Sequence, residues 1–247
     1  MNTISRIGLI VPSSNTTMET EVPRMIRSHK SVHPDQFTFH SARMRMQKVT
    51  KEELARMNQG SSQCALALAD ARVDVIASAC LVAIMSMGNG YHRESERELS
   101  SALASEGAQI PVVTSAGALI SGLRTLGAKS IAVIMPYMKP LADMVVDYIE
   151  HEGINVSDSL ALGIESNLEV GCRDPQLLLK DLDRLDTSEA DVVVLSACVQ
   201  MPSLTVVSQA EDICGLPVVS AATATTRCLL DALEIEAKVP SAGALLA

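Results

Sequence analysis

The chain has 247 residues, of which 47% are apolar and 20% are charged, a composition typical of a folded globular protein. Its formal net charge of −9 disfavours nucleic acid and an anionic membrane as partners, because both attract clusters of Lys and Arg. No apolar run reaches the roughly 18 residues of a membrane span, and the first run is too short for a signal peptide, so we expect a cytoplasmic protein.

Short β-branched apolar runs alternate with amphipathic segments along the first half of the chain. The pattern predicts strands over 7–11, 37–44, 73–79 and 111–114, and helices over 17–28, 50–71, 93–106 and 115–126, with a connecting loop within 29–40. Thr50 followed by Glu53 predicts a capping box at the start of the second helix. The glycine-rich segment 86–92 lacks the spacing of a phosphate-binding loop and is interpreted as a flexible lid.

The pattern of the first half begins again at Ile131. The run IAVIMPYMKPLADMVVDYI (131–149) matches IGLIVPSSNTTMETEVPRMI (7–26), and 217–220 repeats 111–114. This repetition predicts an α/β protein with two pseudo-twofold-related domains, each a parallel sheet flanked by helices. We assign residues 1–115 plus 219–247 to the first domain and 116–218 to the second. Since ligands bind beyond the carboxyl ends of parallel strands, the active site is expected in the cleft between the domains.

Two buried strands of the repeat end in the same tripeptide, Ser-Ala-Cys. They are VDVIASACL (73–81), which delivers Cys80, and DVVVLSACV (191–199), which delivers Cys198. A single cysteine at such a place is most often core packing, but recurrence in both halves favours a function. The six cysteines contain no CxxC pair and no dense spacing, so we expect neither a metal site nor disulfides, and no motif indicates a cofactor.

Other polar residues near the strand ends have two interpretations each. Asn15 either caps a helix or donates to an anionic ligand above that helix. Tyr137 is either a packed ring or a site residue at the equivalent turn, and Asn167 either forms an Asx-turn or binds a ligand. His92 is expected at the surface, and the run RESERE (93–98) on a solvated helix face.

Two thiols across one cleft support two kinds of chemistry. One cysteine can remove a proton while the other returns it on the opposite face, which is racemisation. Alternatively, one thiolate adds to an activated double bond while the other cysteine handles the proton. Either reaction needs a thiol pKa below the ordinary value of about 8.5, and we expect donors at the strand ends to lower it.

Five motifs in chain order resemble the maleate cis-trans isomerases of the aspartate/glutamate racemase superfamily: IVPSSNTTMETEVP (10–23), SACLVAIMSMGNGYH (78–92), MPYM (135–138), SNLEVG (166–171) and SACVQMPS (196–203). The resemblance implies a cofactor-independent isomerase that acts on maleate and assembles as a homodimer or larger homo-oligomer. It also implies a role for each candidate residue: Cys80 as nucleophile, Cys198 as acid and base, Asn15, Tyr137 and Asn167 as carboxylate ligands, and Pro12 and Val82 as pocket lining. The alternatives are a racemase of aspartate, glutamate or a hydantoin, and a binding module without turnover.

Overall fold

The first of two four-stranded parallel sheets is built by the first half of the chain. The structure, a computed structural model, describes residues 4–29, 36–46 and 49–247, so part of the loop expected within 29–40 lies outside the described residues. The strands are β1 (Ser5–Pro12), β2 (Phe37–Met44), β3 (Val75–Ser78) and β4 (Val112–Thr114), in the order β2-β1-β3-β4. The central strand β1 is buried from Ile7 to Pro12, as expected for a parallel strand covered on both faces.

The second sheet repeats this arrangement. Its strands are β5 (Ser130–Met135), β6 (Asn155–Ala161), β7 (Val192–Ser196) and β8 (Val218–Ser220), in the order β6-β5-β7-β8. Each strand occupies the place of its counterpart in the first sheet, and all ladders are parallel. The α/β class and the repeat predicted from the sequence are therefore confirmed.

Helices connect the strands and cover both sheets. In chain order they are α1 (Met18–Arg27), α2 (Lys51–Asn58), α3 (Ser61–Asp70), α4 (Leu81–Met85), α5 (Tyr91–Ser105), α6 (Ser115–Thr125), α7 (Lys139–His151), α8 (Asn167–Gly171), α9 (Gln176–Leu182), α10 (Val207–Cys214) and α11 (Ala221–Ala232). In the described part of the chain, none of them is long and apolar enough to cross a membrane. Helix α11 packs against α1 and α6 of the first half. The domain boundaries given above stay a prediction.

The prediction of a single helix over 50–71 is wrong, because the segment forms α2 and α3 with a break at Gly60. Glycine weakens a helix interior, and the Ser61 hydroxyl donates to the carbonyl oxygen of Asn58 at 2.7 Å, which offers that carbonyl a partner outside the helical ladder. Thr50 caps the start of α2 as predicted, since the backbone N–H of Glu53 donates to the Thr50 hydroxyl oxygen at 3.4 Å, which is one of the two hydrogen bonds of a capping box.

Candidate active site

A small cavity of about 20 Å³ lies beyond the carboxyl ends of strands from both sheets. All seven residues proposed from the sequence line it: Pro12, Asn15, Cys80, Val82, Tyr137, Asn167 and Cys198. The remaining lining residues that the structure describes are also uncharged: Met46, Val49, Ala79, Leu81, Val199 and Gln200. A cavity of this size holds about one water molecule, so a dicarboxylate fits only after the lining opens.

Cys80 lies between β3 and α4, directly before the first residue of the helix. Its side chain is buried, and the backbone N–H of Ala83 donates toward the sulfur. Burial is the stronger influence and raises the pKa of the Cys80 thiol to about 12, to which the neighbouring Cys198 contributes. Cys80 is therefore a neutral thiol at neutral pH in this structure.

Cys198 occupies the equivalent place after β7 and is also buried. Burial raises the pKa of its thiol, but three donors oppose this effect: the Tyr137 hydroxyl and the backbone N–H groups of Gln200 and Met201. The donors expected at the strand ends are thus present. The expected net lowering of the thiol pKa is wrong for both cysteines, because the loss of solvation outweighs the hydrogen bonds.

Tyr137 follows β5 and is buried beside both thiols. Its hydroxyl donates to the carbonyl oxygen of Ala197 at 2.9 Å. Burial, reinforced by Cys198 and Cys80, raises the pKa of the phenol well above its ordinary value, so the hydroxyl keeps its proton. This one proton can serve either the Ala197 carbonyl or an ionised Cys198 sulfur, and the second arrangement becomes favourable when the thiolate forms.

Asn15 forms the helix cap that was one of its two interpretations. Its Oδ1 atom accepts the backbone N–H of Met18 at 3.0 Å and so caps the start of α1. No described residue accepts a hydrogen bond from its Nδ2 group, although the residue is only 1% exposed and lines the cavity. The amide therefore caps the helix with its oxygen, while ligand binding by its nitrogen stays a prediction.

Asn167 is the first residue of α8 and reaches across to the other half of the chain. Its Nδ2 atom donates to the Ser14 hydroxyl at 2.7 Å, while Ser166 accepts the backbone N–H of Glu169 and caps the helix. Pro12, at the end of β1, and Val82, in the first turn of α4, form apolar walls of the cavity.

Gln200 is a lining residue that the sequence reasoning missed. It is 2% exposed, and both ends of its side-chain amide form hydrogen bonds. The available signal was a polar residue two positions after Cys198, within a segment whose other members are mostly apolar.

The expectation of a surface position for His92 is wrong. The residue is buried in α5, where its backbone N–H and its Nδ1 atom contact the Tyr148 hydroxyl oxygen at 3.1 and 2.5 Å. The prediction that the run 93–98 lies on a solvated helix face is wrong for Arg93, which forms an ion pair with the buried carboxylate of Glu152 at 2.8 Å. Burial, together with Arg93, lowers the pKa of His92 and keeps it neutral.

The lid expected over 86–92 does not cover the cavity. The structure describes all seven of these residues, and none of them lines it. Met46 and Val49, which follow β2, lie there instead. In the described part of the chain, no group of three or more His, Cys, Asp or Glu residues could hold a metal ion.

Comparison with known proteins assigns the chain to a family. The family model for arylmalonate decarboxylase matches residues 7–246. The maleate isomerase of Geobacillus stearothermophilus is 57% identical over 98% of this chain and 96% of its own length. The chain belongs to the maleate isomerase family. It is therefore an isomerase, as the resemblance noted in the sequence implied.

Solved structures of maleate isomerases have the same fold as this chain. The maleate isomerase Iso of Pseudomonas putida S16 matches with a TM-score of 0.96 and 55% identity, covering 98% of both chains. A Nocardia farcinica maleate cis-trans isomerase with a cysteine replaced by serine and a covalently bound succinylcysteine intermediate matches with a TM-score of 0.95 and 48% identity, again over 98% of both chains. Unliganded arylmalonate decarboxylase, at 19% identity and a TM-score of 0.76, shares the fold.

Proposed function

We propose that this isomerase converts maleate to fumarate without a cofactor, by reversible addition of the Cys80 sulfur to the double bond. The observation that carries the proposal is the pair of thiols, Cys80 and Cys198, at equivalent strand ends of the two sheets on one cavity lined by neutral donors. The names of the relatives, and the succinylcysteine in one of them, support both the substrate and the covalent step.

The two thiols have unequal roles because their surroundings differ. Three donors oppose burial at Cys198 and one does so at Cys80, so hydrogen bonds stabilise a thiolate at Cys198 more than at Cys80. A Cys198 thiolate accepts the Cys80 proton while the Cys80 sulfur attacks one alkene carbon of maleate. The π electrons move to the other alkene carbon and its carboxylate, and Cys198 returns the proton to that carbon to complete a succinyl thioether.

Isomerisation follows from the change in bond order. The former double bond is now single, so the adduct rotates about it. Cys198 then removes the proton from carbon, the double bond re-forms, and the Cys80 sulfur leaves with the electron pair of the C–S bond, which releases fumarate. The Cys80 thiolate finally takes its proton back from Cys198. The cysteines return to their starting protonation states, and the cycle needs no oxidant or reductant.

Neutral donors hold the two carboxylates and the charge that develops on one of them. The Nδ2 group of Asn15, the amide of Asn167 and the Tyr137 hydroxyl lie on the cavity wall. Each preorganised donor of this kind contributes at most about 2.7–4 kcal/mol to the transition state, by comparison with oxyanion holes.

Replacement of each cysteine tests the assignment. Cys80→Ala should abolish fumarate formation from maleate, followed by NMR, while Cys172→Ala, at an exposed cysteine, should keep the wild-type rate. Cys198→Ser should slow both addition and elimination, and the adduct that forms without Cys198 should not be released and should add the mass of one maleate to the intact protein. A Cys80→Ala variant near the wild-type rate would contradict the nucleophile assignment.

A racemase using the same two thiols is distinguished by hydrogen exchange. We expect no incorporation of deuterium at the α-carbon of L-aspartate in deuterated water. The cytoplasmic location and the homodimer or larger homo-oligomer stay predictions, which cell fractionation and light scattering measure.

A further inference from the structure

Gln200 lines the cavity and forms hydrogen bonds between the two halves of the protein. It follows Cys198 by two residues, and its own backbone N–H donates toward the Cys198 sulfur. Its side chain, 2% exposed, extends away from the second sheet to the turn between β1 and α1. The Thr17 hydroxyl donates back to the Gln200 carbonyl oxygen at 2.7 Å, so the contact between the halves is made from both sides.

The side-chain amide of Gln200 uses its full hydrogen-bonding capacity. Its Oε1 atom accepts the backbone N–H groups of Thr16 and Thr17 at 3.0 and 3.3 Å. Its Nε2 atom donates to the carbonyl oxygens of Ser14 and Asn167, both at 3.0 Å. Two donors face the oxygen and two acceptors face the nitrogen, so the partners themselves fix the orientation of the amide.

These partners are backbone groups that belong to Asn167 or lie within two residues of Asn15. Ser14 and Thr16 flank Asn15 in the chain, and the fourth partner is the backbone of Asn167 itself. We propose that Gln200 is a positioning residue that sets the separation of Asn15 and Asn167, and hence the spacing of the two carboxylate subsites, relative to Cys198. This inference rests on the proposed binding of a dicarboxylate.

Gly171, the last residue of α8, provides the room for this amide. A Cβ atom at Gly171 would lie 2.3 Å from the Gln200 Nε2 atom, well inside any real contact distance. Any other residue at this position would displace the amide or the helix that begins with Asn167. Gly171→Ala therefore disturbs the same connection without altering Gln200.

Succinate, a saturated dicarboxylate that cannot react at a double bond, tests the positioning independently of turnover. Gln200→Glu keeps one oxygen toward the Thr16 and Thr17 N–H groups but presents a second oxygen to two carbonyls. Calorimetry should give at least a tenfold weaker succinate affinity at pH 8 for this variant, and a smaller loss at pH 5.5, where a protonated Glu can donate once. Gly171→Ala should weaken succinate binding similarly.

The matched control is Gln209→Glu, at an exposed position of α10, which should bind succinate as the wild type does. With maleate, the Gln200→Glu variant should show a larger rise in KM than fall in kcat. If folded Gln200→Glu and Gly171→Ala variants bind succinate with wild-type affinity, the proposal is overturned, and likewise if the wild type does not bind succinate at all. If the two variants lose succinate affinity but the wild-type protein does not turn over maleate, the positioning role is supported and the proposed reaction is rejected.

Discussion

The high pKa of Cys80 makes a quantitative prediction for its reaction with a neutral alkylating reagent. Burial raises this pKa to about 12, roughly 3.5 above an ordinary thiol, so the thiolate fraction near pH 7 is roughly three thousandfold smaller. A more basic thiolate is also more nucleophilic, which recovers roughly a factor of 40. Iodoacetamide should therefore modify Cys80 about a hundredfold more slowly than an ordinary exposed thiol on protonation grounds alone.

The dependence on pH separates protonation from restricted access. A narrow cavity slows alkylation by the same factor at every pH, whereas a pKa of about 12 gives a tenfold rise per pH unit from pH 7 to 10 without a plateau. The assay follows the Cys80 peptide by mass spectrometry, with the exposed Cys172 in the same sample as reference. A rate that levels off between pH 7 and 9 would refute the reasoning, because Cys80 would then ionise like an ordinary thiol.

Three further predictions concern the phenol and two buried carboxylates. Tyr137→Phe removes the hydroxyl donor next to the second thiol and should lower kcat by about 10²–10³ in steady-state assays. Burial raises the pKa of Glu21, so the stability associated with its protonated form is lost as pH rises above about 4.3. Glu21→Gln should therefore melt no lower than the wild type at pH 7, with a smaller advantage at pH 5. Glu152→Ala leaves Arg93 and Arg124 without their buried partner. It should lower the free energy of unfolding in urea by about 1.5 kcal/mol, because charge-assisted hydrogen bonds are lost but both arginine side chains are half exposed and remain solvated.

Matched variants separate these effects from general damage. Tyr91→Phe, at a half-buried tyrosine outside the cavity, should leave kcat unchanged, and so an equal loss in both variants contradicts the role of Tyr137. Glu150→Ala, at an exposed position of α7 two residues before Glu152, should leave the urea midpoint unchanged. A Glu21→Gln variant that melts below the wild type at pH 7 would mean that the carboxylate charge stabilises the fold.

The sequence was sufficient for the fold and for seven residues of the cavity lining because both depend on local patterns that recur. Buried parallel strands are continuous apolar runs, and the repetition of Ser-Ala-Cys identified Cys80 and Cys198 as equivalent strand ends. Since strand ends of parallel sheets meet at one edge, their neighbours Asn15 and Tyr137 were placed correctly in the lining as well.

The sequence was insufficient where long-range contacts decide. Nothing local indicates that His92 is buried against Tyr148, 56 positions later in the chain, or that Gln200 contacts Thr16, 184 positions earlier. The prediction that both thiol pKa values are lowered was wrong for the same reason. Donors near a strand end can be inferred from the chain, but the extent of desolvation depends on how completely the other half covers the site.

The lining residues that the structure describes are uncharged, and this has a consequence for the release of product. Maleate and fumarate carry the same two negative charges, and a lysine or arginine in the lining would hold either one through an ion pair that must break before departure. Amides and a phenol are dipoles whose attraction falls off more steeply with distance than that of a full charge. A departing dianion therefore escapes the attraction of this cavity within a short displacement, and turnover can remain fast in both directions.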